Sequence, residues 1–175
     1  MRVICGKYKG KYLDGFDIDG TRPTMDRVKE SMFASIQNYI RDAVVLDLFA
    51  GSGSLGIEAL SMGAKECTFV DHNKIIYDIL SKNTKGVENC KLLKDDYSNA
   101  LLKFRNNKKF DIIILDPPYA LNLINDCINK IYEYDLLNDG GIIVCEYETE
   151  NVNTDLFELI KEKKYSSKYV RVYRK

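Results

Sequence analysis

The stretch 110-FDIIIL-115 is apolar at five of its six positions, the composition of a strand buried on both faces of a sheet. Runs of the same kind recur at 43-AVVLDLF-49, 67-CTFVD-71, 90-CKLLK-94 and 142-IIVCEY-147. Between them the period changes. Met25, Val28, Met32, Ile36 and Tyr39 recur at three- and four-residue steps, which predicts a helix over about 25–40 with one apolar face. Helices are also expected after the loop 50-AGSGSLG-56, ending near Gly63, over 73–83, from 95-DDYSNALLKF-104, over 122–134 and over 153–163. The segment 142–147 is reached through the turn signal NDGG, and 168-KYVRVYR-174 reads as a last strand. Ahead of the first helix, residues 2–5 and 11–13 read as a β-hairpin around GKYKGK, followed by the loop 14-DGFDIDGTRPT-24. Strands alternating with helices predict an α/β fold, a mostly parallel sheet with helices on both faces. The expected division is an N-terminal hairpin extension over 1–20 and one α/β domain over 21–175.

Composition narrows the function classes. The chain is 45% hydrophobic and 30% charged over 175 residues, ordinary for one globular domain. No apolar run approaches the ~20 residues that span a bilayer, and the N-terminus lacks the apolar segment of a signal peptide. The five cysteines are scattered, odd in number and without a C-x-x-C. They read as free thiols in a reducing cytoplasm. With a single histidine, a metal site is not expected. Net charge is zero but unevenly spread. Residues 1–12 carry Arg2, Lys7, Lys9 and Lys11 and no acid, and residues 161–175 carry seven basic side chains and one acid. The remaining 148 residues keep 15 of the 26 basic and 25 of the 26 acidic side chains. Basic ends on an acidic body fit a nucleic-acid binder, although lysine-rich termini are also common solvated ends.

The stretch Gly51-Ser52-Gly53-Ser54-Leu55-Gly56 is a G-x-G-x-x-G between a strand and a helix, and Asp71 follows Gly51 by twenty residues at the end of the next strand. That spacing predicts a ribose-bearing ligand. Asp47, four residues before Gly51, helps choose which. A carboxylate in a low-dielectric crevice repels a pyrophosphate and attracts a cation. S-adenosylmethionine has a ribose, an adenine, an ammonium and a sulfonium and no phosphate, and fits Asp47 and Asp71 better than NAD does. The alternative for Asp47 is a structural carboxylate holding loop amides. After the third strand, Asp96 or Asp95 could take the adenine amine, or simply complement the following helix N-terminus. His72 could cover the adenine, or be an ordinary loop residue.

The strand 110–115 ends in Asp116-Pro117-Pro118-Tyr119. The prolines fix φ and remove two N–H donors. What remains facing a cleft is acceptor, the Asp116 carboxylate and the Pro117 carbonyl, which suits a planar NH₂ group. Tyr119 offers a flat surface for a base, worth ~1–3 kcal/mol. Acceptors fixed on an exocyclic amine would stabilise the positive charge that develops as it is methylated. The bland alternative is a strand-terminating turn.

These motifs carry a resemblance. D-P-P-Y after a strand, with D-L-F-A-G-S-G-S-L-G-I-E-A-L upstream, resembles the class I methyltransferases that modify amino nitrogens. More narrowly, Gly6-Lys7-Tyr8-Lys9-Gly10-Lys11 followed by Thr21-Arg22-Pro23-Thr24-Met25-Asp26-Arg27-Val28-Lys29-Glu30 resembles the RsmD family, bacterial enzymes that methylate N2 of a guanine in small-subunit (16S) ribosomal RNA. The resemblance covers nearly the whole chain. It implies a Rossmann-like seven-stranded sheet, S-adenosylmethionine as cofactor, and ribosomal RNA or the assembling small subunit as partner; a cytoplasmic monomer is expected. It implies a methionine side of the cofactor site from Asp47 to Gly53, including Phe49, Ala50, Gly51 and Ser52. Asp71 would lie at the ribose, and His72 and Asp96 with Tyr97 at the adenine. Asp116, Pro117, Pro118 and Tyr119 would hold the target base. Lys7, Lys9 and Lys11 of the hairpin, with Arg22 and Thr24, would meet RNA. Three positions depart from the family: Asp71 stands where Glu is more common, Cys5 where a glycine is common, and Ser166 where Gly is usual.

The competing readings are another nucleic-acid amino-methyltransferase (adenine N6 in RNA or DNA), a protein glutamine methyltransferase, an NAD-dependent oxidoreductase, and a non-catalytic RNA-binding module. Asp116 in place of Asn speaks against the protein-directed type, and Asp47 with D-P-P-Y speaks against the oxidoreductase.

Overall fold

The computed structural model describes residues 1–16, 26–118, 121–152 and 154–175. Seven strands form one sheet: β1 (Val44–Asp47), β2 (Glu66–Asp71), β3 (Cys90–Lys94), β4 (Phe110–Leu115), β5 (Leu137–Tyr147), β6 (Glu158–Tyr165) and β7 (Lys168–Arg174). Their order is β3-β2-β1-β4-β5-β7-β6. The first five strands are mutually parallel and β7 is antiparallel to both its neighbours. The helices are α1 (Asp26–Ile40), α2 (Ser54–Ser61), α3 (Lys74–Asn83), α4 (Tyr97–Phe104) and α5 (Ile124–Glu133). This is the mostly parallel α/β sheet that the alternation predicts, in the Rossmann-like class I methyltransferase form that the resemblance implies.

The two faces of the central strands separate two cores. Ile112 and Ile114 of β4 pack with Val45, Phe69 and Val144 under Met32, Phe33 and Ile36 of α1 and Leu55 and Ile57 of α2. Ile113 and Leu115 face the other way, with Leu46, Ile143 and Cys145, against Leu101 of α4 and Ile124, Ile128 and Ile131 of α5. Burial on both faces is why these strands are apolar at nearly every position and carry no alternation.

Two local expectations change. Residues 153–163, read as a helix, supply β6 from Glu158 onward. Without it β7 would present an unpaired edge. A lysine-rich outer strand covers that edge, and solvent takes its charged side chains. Register is fixed by the cross-strand pairs Arg174–Glu158 and Arg171–Glu162, and by a two-residue turn at Ser166-Ser167 with Ser166 at φ 55°. The NDGG segment lies inside β5, where pairing with β4 shifts register between Phe110 and Ile112.

The N-terminal segment is a ribbon closed by the antiparallel Arg2–Tyr12 bridge. It docks on α2 through polar contacts. Glu58 accepts from the amides of Ile4 and Cys5, and Ser61 Oγ accepts from the Tyr8 amide. Lys29, within the apolar face of α1, is fully buried and donates to Glu58 at 3.0 Å, to Ser54 Oγ at 3.0 Å and to the Arg2 carbonyl at 2.7 Å. The desolvation of both charges is thereby offset by mutual pairing and full hydrogen bonding. Among the described residues no helix is long and apolar enough to cross a membrane.

Candidate active site

Parallel pairing sends the carboxyl ends of β1, β2, β3 and β4 to one edge of the sheet. The order reverses between β1 and β4, the switch point where open α/β sheets bind ligands. Asp47, Asp71, Asp95, Asp96 and Asp116 all lie at or just past those ends. The ladder continues into the loops: Leu48 N–H donates to the Ile114 carbonyl at 3.2 Å, and Ala50 N–H to that of Val70 at 2.9 Å. The glycine loop is thus hung between β4 on one side and β2 on the other.

Each carboxylate has a definite local task. Asp71 accepts from Gly51 N–H at 3.0 Å through Oδ2 and from Asn73 N–H at 2.9 Å through Oδ1. It tethers the glycine loop to β2, and partial burial raises its pKa. Asp47 is only 1% exposed. Its Oδ2 accepts from Gly56 N–H at 2.9 Å, so the structural alternative for this residue holds for one oxygen. The other, Oδ1, is buried with no hydrogen-bond partner. Burial pushes Asp47 up to about 7, against the pull of the Gly56 amide and with help from Asp71. A buried acceptor without a donor, at the root of the glycine loop, fits a cationic group.

The glycines themselves are forced by close approach. Gly51 has φ 55°, and any Cβ there would lie 3.2 Å from Phe16 Cζ. A Cβ at Gly56 would fall 2.3 Å from the Phe69 ring, so only glycine lets α2 lie this close to β2. Ala50 and Ser52 are buried in the loop, and Gly53 is the N-cap of α2. Phe49 is half-buried and its ring lies 5.6 Å from that of Tyr97.

The adenine-side candidates diverge. Asp96 is exposed and caps α4, accepting from Ser98 N–H at 2.9 Å, as the capping alternative expects. Asp95 pairs with Lys103, which lowers its pKa. The Tyr97 hydroxyl donates to Asp126 at 2.9 Å, joining α4 to α5, and burial with that carboxylate raises its pKa to about 12. His72 is exposed.

Past β4, Asp116 and Pro118 are partly buried and Pro117 is buried. The Pro118 carbonyl accepts from Leu121 N–H at 3.1 Å. The α5 N-terminus lacks a cap from its own Leu123, and Glu150 from the loop after β5 accepts from the Ile124 and Asn125 amides instead. Tyr119, Arg22, Pro23 and Thr24 lie outside the described residues. Of the hairpin lysines, Lys7 pairs with Glu88 at 2.9 Å and Lys11 donates to the Lys85 carbonyl at 3.0 Å, while Lys9 is exposed. Tyr12, which no sequence motif marks, is 83% exposed beside them. Four of the seven C-terminal basic side chains are ion-paired: Arg171 with Glu162, Arg174 with Glu158, Lys175 with Asp135, and Lys168 with the buried Glu146.

Three further residues escape sequence reasoning. Phe16 contacts Gly51, Asn83 joins Asp14 to Ser52, and Glu150 caps α5. Each acts across at least 25 residues of chain, so no local pattern marks it.

The family described as "Conserved hypothetical protein 95" matches residues 1–174. The chain is 35% identical to ribosomal RNA small subunit methyltransferase D of Haemophilus influenzae, over 99% of this chain and 93% of that protein. It is 35% identical to the Escherichia coli protein of the same name, over 86% of this chain and 76% of that one. The solved structure of yhhF from Escherichia coli superposes with a TM-score of 0.87 at 31% identity, covering 100% of this chain and 97% of that one. The chain belongs to the Conserved hypothetical protein 95 family and, through it, to the S-adenosylmethionine-dependent methyltransferases.

Proposed function

We propose that this enzyme methylates the exocyclic N2 amine of a guanine in small-subunit ribosomal RNA. The observation that carries the reading is the position of Asp116-Pro117-Pro118 at the end of β4, directly across the switch point from the glycine loop after β1. The names of the Haemophilus influenzae and Escherichia coli relatives supply the substrate class.

S-adenosylmethionine supplies the methyl group. Asp47, whose second oxygen lacks a donor, would accept from its ammonium. Asp71 would accept from the ribose hydroxyls with the lone pairs left after Gly51 and Asn73. Asp96 and Tyr97 would border the adenine end, and exposed His72 would cover the adenine. Asp116 and the Pro117 carbonyl would accept the two N–H bonds of the target amine. That arrangement holds the nitrogen in line and stabilises its developing positive charge. The proton then leaves to the Asp116 carboxylate or to water. Tyr119 would stack the base. Lys7, Lys9 and Lys11, with Arg22 and Thr24, would meet the RNA backbone, and the small hairpin offers too little surface to open a duplex. The favoured substrate is therefore an assembled or assembling subunit that presents the base exposed. We place the enzyme, as a monomer, in the cytoplasm with its substrate.

The test is transfer of labelled methyl from S-adenosylmethionine to small-subunit particles, followed by nucleoside analysis. N2-methylguanosine is expected. Label in N6-methyladenosine would assign the enzyme to the adenine-directed class instead.

A further inference from the structure

The N-terminal segment passes over the cofactor loop, and one buried side chain fixes it there. Asn83, at the end of α3, is 5% exposed. Its Oδ1 accepts from Asp14 N–H at 2.9 Å, and its Nδ2 donates to the Asp14 carbonyl and to the Ser52 carbonyl, each at 2.9 Å. One amide therefore holds the segment and the glycine loop together as a strand partner would. Lys82 adds an ion pair to the Asp14 carboxylate. Two residues on, the Phe16 ring reaches Gly51, with Cζ and Cε1 at 3.2 and 3.3 Å from where a Cβ would stand. Gly51 is also the residue whose N–H is held by Asp71. Gly51 is thus approached by the Phe16 ring and held through its N–H by Asp71, and the ring is only partly buried.

We propose that Phe16 is a cofactor-contacting residue. Its ring forms the apolar wall of the pocket on the ribose side, and Asn83 is the residue that positions it. The inference rests on the reading of this edge as an S-adenosylmethionine site. Physically, a ribose held by Asp71 at Gly51 would lie within reach of the Phe16 ring at the same glycine. An aromatic ring fixed there excludes water and strengthens the hydrogen bonds beside it. A core-filling phenylalanine would instead be fully covered, as Phe69 and Phe110 are.

Calorimetry with S-adenosylhomocysteine, the unreactive product, tests this without turnover. Phe16→Ala should weaken binding about tenfold, and Phe16→Tyr should bind as wild type does. Asn83→Ala should weaken binding in the same direction. Thermal melting with and without S-adenosylhomocysteine separates the roles: the stabilisation added by the ligand should shrink in Phe16→Ala more than the unliganded midpoint falls. Wild-type binding matched by an equal affinity in Phe16→Ala overturns the inference alone. Failure of the wild type itself to bind S-adenosylhomocysteine overturns the cofactor reading and this inference with it.

Discussion

Asp47 shows how one side chain holds two roles. Its Oδ2 is committed to the Gly56 amide and its Oδ1 is buried without a donor. Folding raises its pKa from the usual carboxylate range to about 7. The folded state therefore holds a proton that the unfolded state releases, and stability must fall as pH rises between those two values. Asp47→Asn removes the titration. Thermal melts of the unliganded protein between pH 5 and 8 should slope downward in the wild type and be flatter in the variant. The same group predicts that wild-type affinity for S-adenosylmethionine increases through pH 7, as the carboxylate ionises against the ammonium. A wild-type melting profile parallel to that of Asp47→Asn would mean that Asp47 does not titrate in this range.

At the scale of elements, the sheet edge opposite β3 carries the clearest prediction. Ser166 sits at φ 55° in the two-residue turn between β6 and β7, a conformation that costs a residue with a Cβ about 1–2 kcal/mol. Ser166→Gly should stabilise the protein by about 0.5–1 kcal/mol after the added entropy of the unfolded chain, read as a higher denaturant midpoint with an unchanged slope. This edge is also where the sequence misled. Leu156, Phe157, Leu159 and Ile160 recur at helical steps, yet Leu159 is 47% exposed on β6. An outer strand facing solvent has no reason to be apolar, and its partner, β7, fixes it by pairing rather than by pattern. The central strands were legible for the opposite reason: burial on both faces demands continuous apolar runs, and glycine or proline marks their ends at the glycine loop and at D-P-P-Y. Those two motifs were readable because glycine and proline are rare inside elements and stand here at the ends of buried strands. Lys29 in the apolar face of α1, and Asn83 beneath the N-terminal segment, answer to partners far along the chain, which no local window contains.

Over the whole molecule, the basic ends differ once folded. Four of the seven C-terminal cations, Arg171, Arg174, Lys175 and Lys168, are paired with Glu162, Glu158, Asp135 and Glu146, and of the others Lys163 donates to Ser31 and Lys164 lies over the Tyr169 ring. The hairpin keeps exposed lysines beside exposed Tyr12. Neutralising Lys7, Lys9 and Lys11 together should weaken binding to small-subunit particles. It should also flatten the salt dependence, by roughly one unit of slope or less for each phosphate these lysines neutralise. Cofactor affinity should not change, since Lys7 and Lys11 bond to the 85–88 segment and not to the glycine loop. An unchanged salt slope would make them a solvated face of the ribbon. The central claim is that the acceptors at the end of β4 act on the target amine across from the glycine loop. The most direct measurement is single-turnover methyl transfer to saturating small-subunit particles by Asp116→Ala, with S-adenosylmethionine affinity measured alongside. The account predicts a rate lowered about 100-fold or more with cofactor affinity nearly intact, and a near-normal rate would contradict it.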